Sequence, residues 1–180
     1  MIPPEETLVV TEPEICGARA WAERHGILLS WVPENLELRA VLKQANTGDE
    51  YYLRGRFRDY RAIAPEWTFS DATWTQTGRH TDFPNPIPTP FGASIFIKFG
   101  NPTLAVPQHA IICAPFNRLA YTDGAGPHGD WGGPSHWMEV SKAPQVPGQG
   151  NRHVRAETIG DMLQIILRDF SHTTGRMVFP

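Results

Sequence analysis

Two cysteines and seven histidines supply most of the nucleophilic and proton-transferring capacity of this chain, and they are unevenly placed. Cys113 closes an apolar approach, His109-Ala110-Ile111-Ile112, and opens onto Ala114-Pro115-Phe116-Asn117-Arg118 and a Gly-rich polar stretch. A thiol at a strand-to-loop junction has a rigid approach on one side and room for a bulky partner on the other, as an acyl-accepting nucleophile requires. The chemistry would be thioester exchange, because a thiolate is nucleophilic near neutral pH and its thioester stays reactive toward amines. Placement alone also suits a buried small hydrophobe, since free cysteines are among the most buried residue types. Cys16, beside Ile15 on an amphipathic segment, reads as such a residue.

The stretch Gly126-Pro127-His128-Gly129-Asp130-Trp131, with Ser135-His136-Trp137, gathers His, Asp and Trp within a short span. His128, Asp130 and His136, with Cys113, are one candidate metal set. His128 or Asp130 as an acid/base group beside the thiol, taking a proton from an incoming amine, is another. An ordered loop pinned by Trp131 and Trp137 is the plain alternative, and no recognised ligand spacing favours metal. His109, four residues before Cys113, shares a strand face with it at most. Arg54, Arg56, Arg58 and Arg118 read as solvated charges rather than substrate clamps. No Gly-x-Gly-x-x-Gly after a strand, no Walker loop and no Gly-x-Ser-x-Gly is present, which removes nucleotide-binding and serine-hydrolase chemistry.

These groups need elements to position them. Pro13 suits a helix start and Gly26 a stop, so a first helix is expected over Glu14–His25, with Ile15, Ala18, Trp21 and Ala22 on one stripe. Leu36–Lys43 alternates like a half-buried strand, Asn46-Thr47-Gly48-Asp49 supplies turn chemistry, and Tyr51–Phe57 resumes as strand. Pro65–Phe69 extends the meander, and residues 71–90 are polar and then proline-rich. Ala93–Phe99 is a short strand ended by Gly100-Asn101-Pro102, and His109–Ile112 is the approach to the thiol. Asn117 to Arg155, rich in Gly and Pro, reads as a loop far longer than compact domains tolerate, so it is expected to be functional or partly mobile. Thr158 begins the clearest helix, in which Ile159, Met162, Leu163, Ile166, Leu167 and Phe170 recur at helical spacing.

At 180 residues, with 41% hydrophobic and 11% aromatic content, the chain suits a single domain, 1–180, with one core. Sixteen basic and nineteen acidic side chains leave a formal charge of −3, without the cationic surplus that nucleic acid demands. The opening Met-Ile-Pro-Pro-Glu-Glu lacks a basic, apolar leader, and no stretch approaches the roughly 20 apolar residues of a membrane span. The expectation is a cytoplasmic protein with free thiols, no membrane partner and no cofactor.

The order of these elements resembles the ubiquitin-conjugating enzyme family. Tyr51 to Tyr60 is similar to its aromatic-rich strand and Asp-Tyr turn, and Ala64-Pro65-Glu66-Trp67-Thr68-Phe69 to its proline-led apolar strand. Ile112-Cys113 resembles the family's catalytic junction, Trp131 or Trp137 its following tryptophan, and Thr158 to Ile166 its crossover helix. Ile112 to Tyr121, Gly126 to Trp131 and Thr174-Gly175-Arg176-Met177 are similar to the bacterial branch, typically encoded beside a ubiquitin-like protein, an activating enzyme and a deconjugating metalloprotease, and in some systems acting against phage. The resemblance implies an α+β fold, an antiparallel meander flanked by an N-terminal helix and a crossover helix, here lacking the usual C-terminal helices. It implies that Cys113 takes the acyl group of a ubiquitin-like modifier from an activating enzyme and passes it to an amine of an acceptor protein. The family's oxyanion asparagine has its nearest counterpart in Phe83-Pro84-Asn85, separated from Cys113 by an inserted strand, so Asn85 is the candidate, with Asn101 and Asn117 as rivals. The alternatives are a catalytically silent binding or scaffold subunit and a metal-dependent hydrolase using His128, Asp130 and His136.

Overall fold

A computed structural model describes residues 2–87, 93–101, 106–121, 126–142 and 156–178. The proline-rich 88–92, Pro102, Gly124 and the stretch from 143 to Arg155 lie outside the described residues.

The first element, α1 (Pro4–Arg24), begins ten residues before the expected start and carries Pro13 inside it. A helical proline forfeits the bond to the carbonyl four residues back, here that of Val9, which is 74% exposed and so sits where water can take over. The buried stripe is Thr7, Thr11, Ile15, Ala18 and Ala22. Its N-terminal half is polar, and the Thr11 hydroxyl satisfies itself on the Thr7 carbonyl at 3.0 Å, which hid the helix from a hydrophobic pattern. Gly26, at φ +66°, ends it as the sequence predicts.

β1 (Leu28–Val32), β2 (Glu37–Lys43), β3 (Glu50–Arg56) and β4 (Glu66–Ser70) form an antiparallel sheet in that order, with Ala40 opposite Leu53 and Leu53 opposite Phe69. The expected hairpin and third strand are therefore present; β1 is an addition at the edge. Leu38, Ala40, Leu42, Tyr51, Leu53, Trp67 and Phe69 point into the core. Gly55 faces Trp67 across the ladder, and a β-carbon there would lie 2.8 Å from the indole, so only glycine lets that ring lie flat against β3. On the outer face the buried Glu37 carboxylate meets Arg39 at 2.7 Å, Arg56 at 3.3 Å and Arg54 at 3.8 Å. Burial and the neighbouring Arg56 and Arg39 hold the Arg54 guanidinium below its ordinary range.

After the meander come β5 (Pro84–Pro86), the hairpin β6 (Phe96–Asn101) and β7 (Val106–Ile112), a short α2 (Trp137–Lys142), α3 (Ile159–Phe170) and β8 (Thr173–Arg176), which returns to pair with β5. The expected long loop is, where described, a series of 3-10 turns at Arg118–Ala120, Gly129–Trp131 and Pro134–His136 leading into α2. Among the described residues no helix is long and apolar enough to cross a membrane. α3 starts on a capping box between Thr158 and Asp161 and lays Ile159, Met162, Leu163 and Ile166 on the sheet.

Glu14 ties three parts of this arrangement together. Its carboxylate accepts the Tyr60 hydroxyl at 2.8 Å and the Ile159 amide at 2.8 Å, and pairs with Arg61. Burial first, then the Glu14 charge and hydrogen bond, drive the Tyr60 hydroxyl far above the ordinary tyrosine range. Glu14→Ala should therefore cost about 2 kcal/mol, the usual size of a hydrogen bond to a charged acceptor. Urea denaturation should show a lower midpoint at unchanged m-value, and an unchanged midpoint would contradict this role.

Candidate active site

Cys113 lies one residue beyond β7, and both of its flanks are fixed by side chains. On the N-terminal side its amide donates to the Ile95 carbonyl at 2.7 Å, and the Ile95 amide donates to the buried Asp169 carboxylate of α3 at 2.8 Å. On the C-terminal side stands Asn117, fully buried. Its Nδ2 donates to the Trp67 carbonyl at 3.0 Å and to the Ile112 carbonyl at 2.7 Å, and its Oδ1 accepts the Trp67 amide at 2.8 Å and the Leu119 amide at 3.3 Å. One carboxamide so behaves like the next strand beside β4, and it holds the residue preceding the thiol. The Arg118 amide donates to the Pro65 carbonyl at 2.8 Å and continues the contact. The thiol is left half-buried at the surface.

His128 reaches it from 15 residues away: Nε2 lies 2.8 Å from Sγ. The approach is built by backbone. The Gly126 amide donates to the Tyr121 carbonyl at 2.8 Å and the His128 amide to the Ala120 carbonyl at 3.0 Å. A β-carbon at Gly126 would run into the Ala120 carbonyl group and the Leu119 oxygen, so only glycine permits this crossing. The imidazole is stacked on Trp131 with ring centres 3.6 Å apart and planes 2° from parallel. Trp131 meets Tyr121 edge-on at 5.4 Å, and the Tyr121 hydroxyl donates to the Pro115 carbonyl at 2.8 Å, returning to the thiol's own turn. Nε2 can take the thiol's proton or, protonated, donate to the thiolate. Sulfur and ring thus form a nucleophile with a proton carrier in direct contact.

Of the sequence candidates, Cys113 and His128 are brought together. Asp130 sits in the turn between His128 and Trp131, with its side chain outside the described residues. Asn85 lies on β5, held against β8, and among the described residues no hydrogen bond joins it to Cys113 or His128. Asn101 ends β6, its side chain also outside the described residues. The Asn117 amide makes its full complement of four hydrogen bonds within the fold, so it acts as a structural clamp with no N–H left for an oxyanion. His109 packs its ring on Phe99 at 5.2 Å. Four residues of strand, roughly 13 Å, separate it from Cys113. His136 is exposed and meets Ser135 at 3.3 Å. Among the described residues no group of three or more His, Cys, Asp or Glu side chains is disposed to hold a metal ion. Cys16 is an exposed thiol on α1, not the buried residue expected. Sequence reasoning named Asn117 only as a rival oxyanion donor and Trp131 only as a loop pin or the tryptophan after the thiol, and gave Gly126 no role; a glycine-proline pair immediately before a histidine was the available signal for the last.

Comparison of the chain with protein-family models, with curated proteins and with solved structures finds no match.

Asn117→Ala leaves the amide and carbonyl of Trp67 and the carbonyl of Ile112 without partners, and should lower unfolding stability by about 3 kcal/mol. The loss should appear as a lower denaturation midpoint with no need for any substrate. A variant of full stability would instead make Asn117 a functional donor.

Proposed function

We propose that this chain is a conjugating enzyme of the ubiquitin-conjugating type, which carries the C-terminal acyl group of a ubiquitin-like modifier as a thioester on Cys113. The observation that carries the reading is the contact between Cys113 Sγ and His128 Nε2, 2.8 Å apart at the end of β7. The order of elements supports it: an N-terminal helix, a four-stranded antiparallel meander, a strand ending in the thiol, and a crossover helix. These are the parts, in sequence, that the resemblance to the bacterial branch of that family implies.

In the loading step the thiol proton passes to His128 as Sγ bonds to the modifier's carbonyl carbon. The bond to the activating enzyme's sulfur breaks, and that sulfur leaves with the proton. In the transfer step an acceptor amine bonds to the same carbon, the C–Sγ bond breaks, and the proton shed by the amine is taken by His128 and returned to the thiolate. The half-buried thiol leaves room for a macromolecular acyl group on its open side. A silent scaffold has no use for a base stacked in place against a thiol, which disfavours that alternative. Metal-dependent hydrolysis through His128, Asp130 and His136 has less support, because His136 is exposed and meets Ser135, and among the described residues no group of three or more His, Cys, Asp or Glu side chains is disposed to hold a metal ion.

The test is incubation with a ubiquitin-like modifier, its activating enzyme and ATP. Cys113 should acquire an adduct cleaved by thiol reductant, absent in Cys113→Ala and converted to a thiol-resistant ester in Cys113→Ser. His128→Gln should slow discharge to an amine about 100-fold, the low end of general-base contributions. An equally thiol-sensitive adduct on Cys113→Ser would refute the assignment.

A further inference from the structure

We infer that the Cys113–His128 couple also hydrolyses thioesters and activated oxygen esters, releasing acyl groups to water. The inference rests on the preceding reading only for its nucleophile; it requires neither modifier nor activating enzyme. A base within hydrogen-bond reach assists an acceptor amine, and water, a far poorer nucleophile, depends on it more heavily still. The base in contact with Cys113 is therefore as well placed to activate water as an amine, and nothing in the contact itself restricts it to the amine.

The base is also held so that acylation does not dislodge it. Its own amide is bonded to the Ala120 carbonyl, its ring lies flat on Trp131, and Trp131 rests against Tyr121, whose hydroxyl is bonded to the Pro115 carbonyl. Once Sγ carries an acyl group it has no proton to share, and Nε2 faces the space beside the carbonyl carbon. In the first half-reaction the thiol proton moves to Nε2, Sγ bonds to the carbonyl carbon, and the leaving oxygen or sulfur departs with that proton. In the second, water gives a proton to Nε2 as its oxygen bonds to the carbonyl carbon. The C–Sγ bond breaks, the thiolate recovers the proton, and a carboxylic acid leaves. The sum is ester plus water to acid plus alcohol or thiol, with nothing oxidised or reduced.

The same geometry sets the limit of the activity. Amide cleavage demands strong oxyanion stabilisation, and the carboxamide of Asn117, four residues along the chain from the thiol, supplies none, because both its N–H groups are committed to the Trp67 and Ile112 carbonyls. An amine is also a far poorer leaving group than a phenolate or a thiolate, so the substrates are esters and thioesters with good leaving groups, and anilides are spared.

The experiment uses the full chain alone with 4-nitrophenyl acetate and, in parallel, 4-nitroacetanilide. The ester should give a burst of one nitrophenolate per chain and then steady turnover, while the anilide stays intact. Burst and turnover should survive in Cys16→Ala and vanish in Cys113→Ala and in wild-type protein alkylated at Cys113. His128→Gln should slow the steady phase about 100-fold. A solvent deuterium isotope effect on the wild-type steady phase gives the same information without a variant, and its absence would overturn the inference. So would a burst with no turnover, which would leave the carrier reading standing, or turnover unchanged in Cys113→Ala. Turnover together with failure to form a modifier adduct would support hydrolysis and overturn transfer instead.

Discussion

The carboxamide of Asn117 is the interaction on which the site's geometry depends. β4 ends a sheet whose outer ladder would otherwise expose the amide and carbonyl of Trp67, and a buried unpaired backbone group costs about 1–3 kcal/mol. Asn117 satisfies both and takes the Ile112 carbonyl as well, so sheet, tryptophan and thiol-bearing turn form one bonded unit. The Trp67 indole adds the third dimension: its N–H points to the Met162 sulfur of α3 at 3.3 Å, and its ring meets Phe57 edge-on at 5.5 Å. Cys113 is therefore referred to the sheet through Asn117 and to α3 through Ile95 and Asp169. A thiol placed by two independent anchors meets the narrow positional tolerances that the proposed covalent chemistry would need.

The histidine is delivered by a different logic. It comes from an irregular stretch, held by turn hydrogen bonds and aromatic stacking in place of strand pairing. Two backbone bonds, one glycine-only crossing and a ring sandwich compensate for the missing regular structure. Tyr121 links the two halves, because its hydroxyl bonds to Pro115 in the thiol's turn while its ring supports the tryptophan under the histidine. Trp137, fully buried and stacked on Tyr60, pins the following turn to the core.

Much of this was legible in the sequence where a periodic signal existed. Ile159, Met162, Leu163 and Ile166 announce α3, and alternation with a Gly-containing turn announces β2 and β3. The N-terminal half of α1 was hidden because its buried positions are threonines and because Pro13 reads as a boundary, although it faces solvent within the helix. The pairing of β5 with β8 is fixed by contacts far apart in the chain, Pro84 with Arg176, which no local pattern encodes. In the site, Cys113 and His128 were nameable by type, but their contact depends on the chain folding back at Gly126. Asn117 looked like an oxyanion donor because the sequence shows a residue's donors and not what occupies them.

The central claim is that Cys113 and His128 act as one chemical unit, and the most direct measurement is site-resolved alkylation. Iodoacetamide is applied at neutral pH to native protein, and labelling of Cys113 and Cys16 is followed in the same sample by mass spectrometry, with Cys16, exposed on α1, as internal reference. The predicted result is faster labelling at Cys113 despite its lower exposure, with the advantage abolished in His128→Gln. Labelling of Cys113 no faster than Cys16, or a rate unchanged by removal of the imidazole, would contradict it.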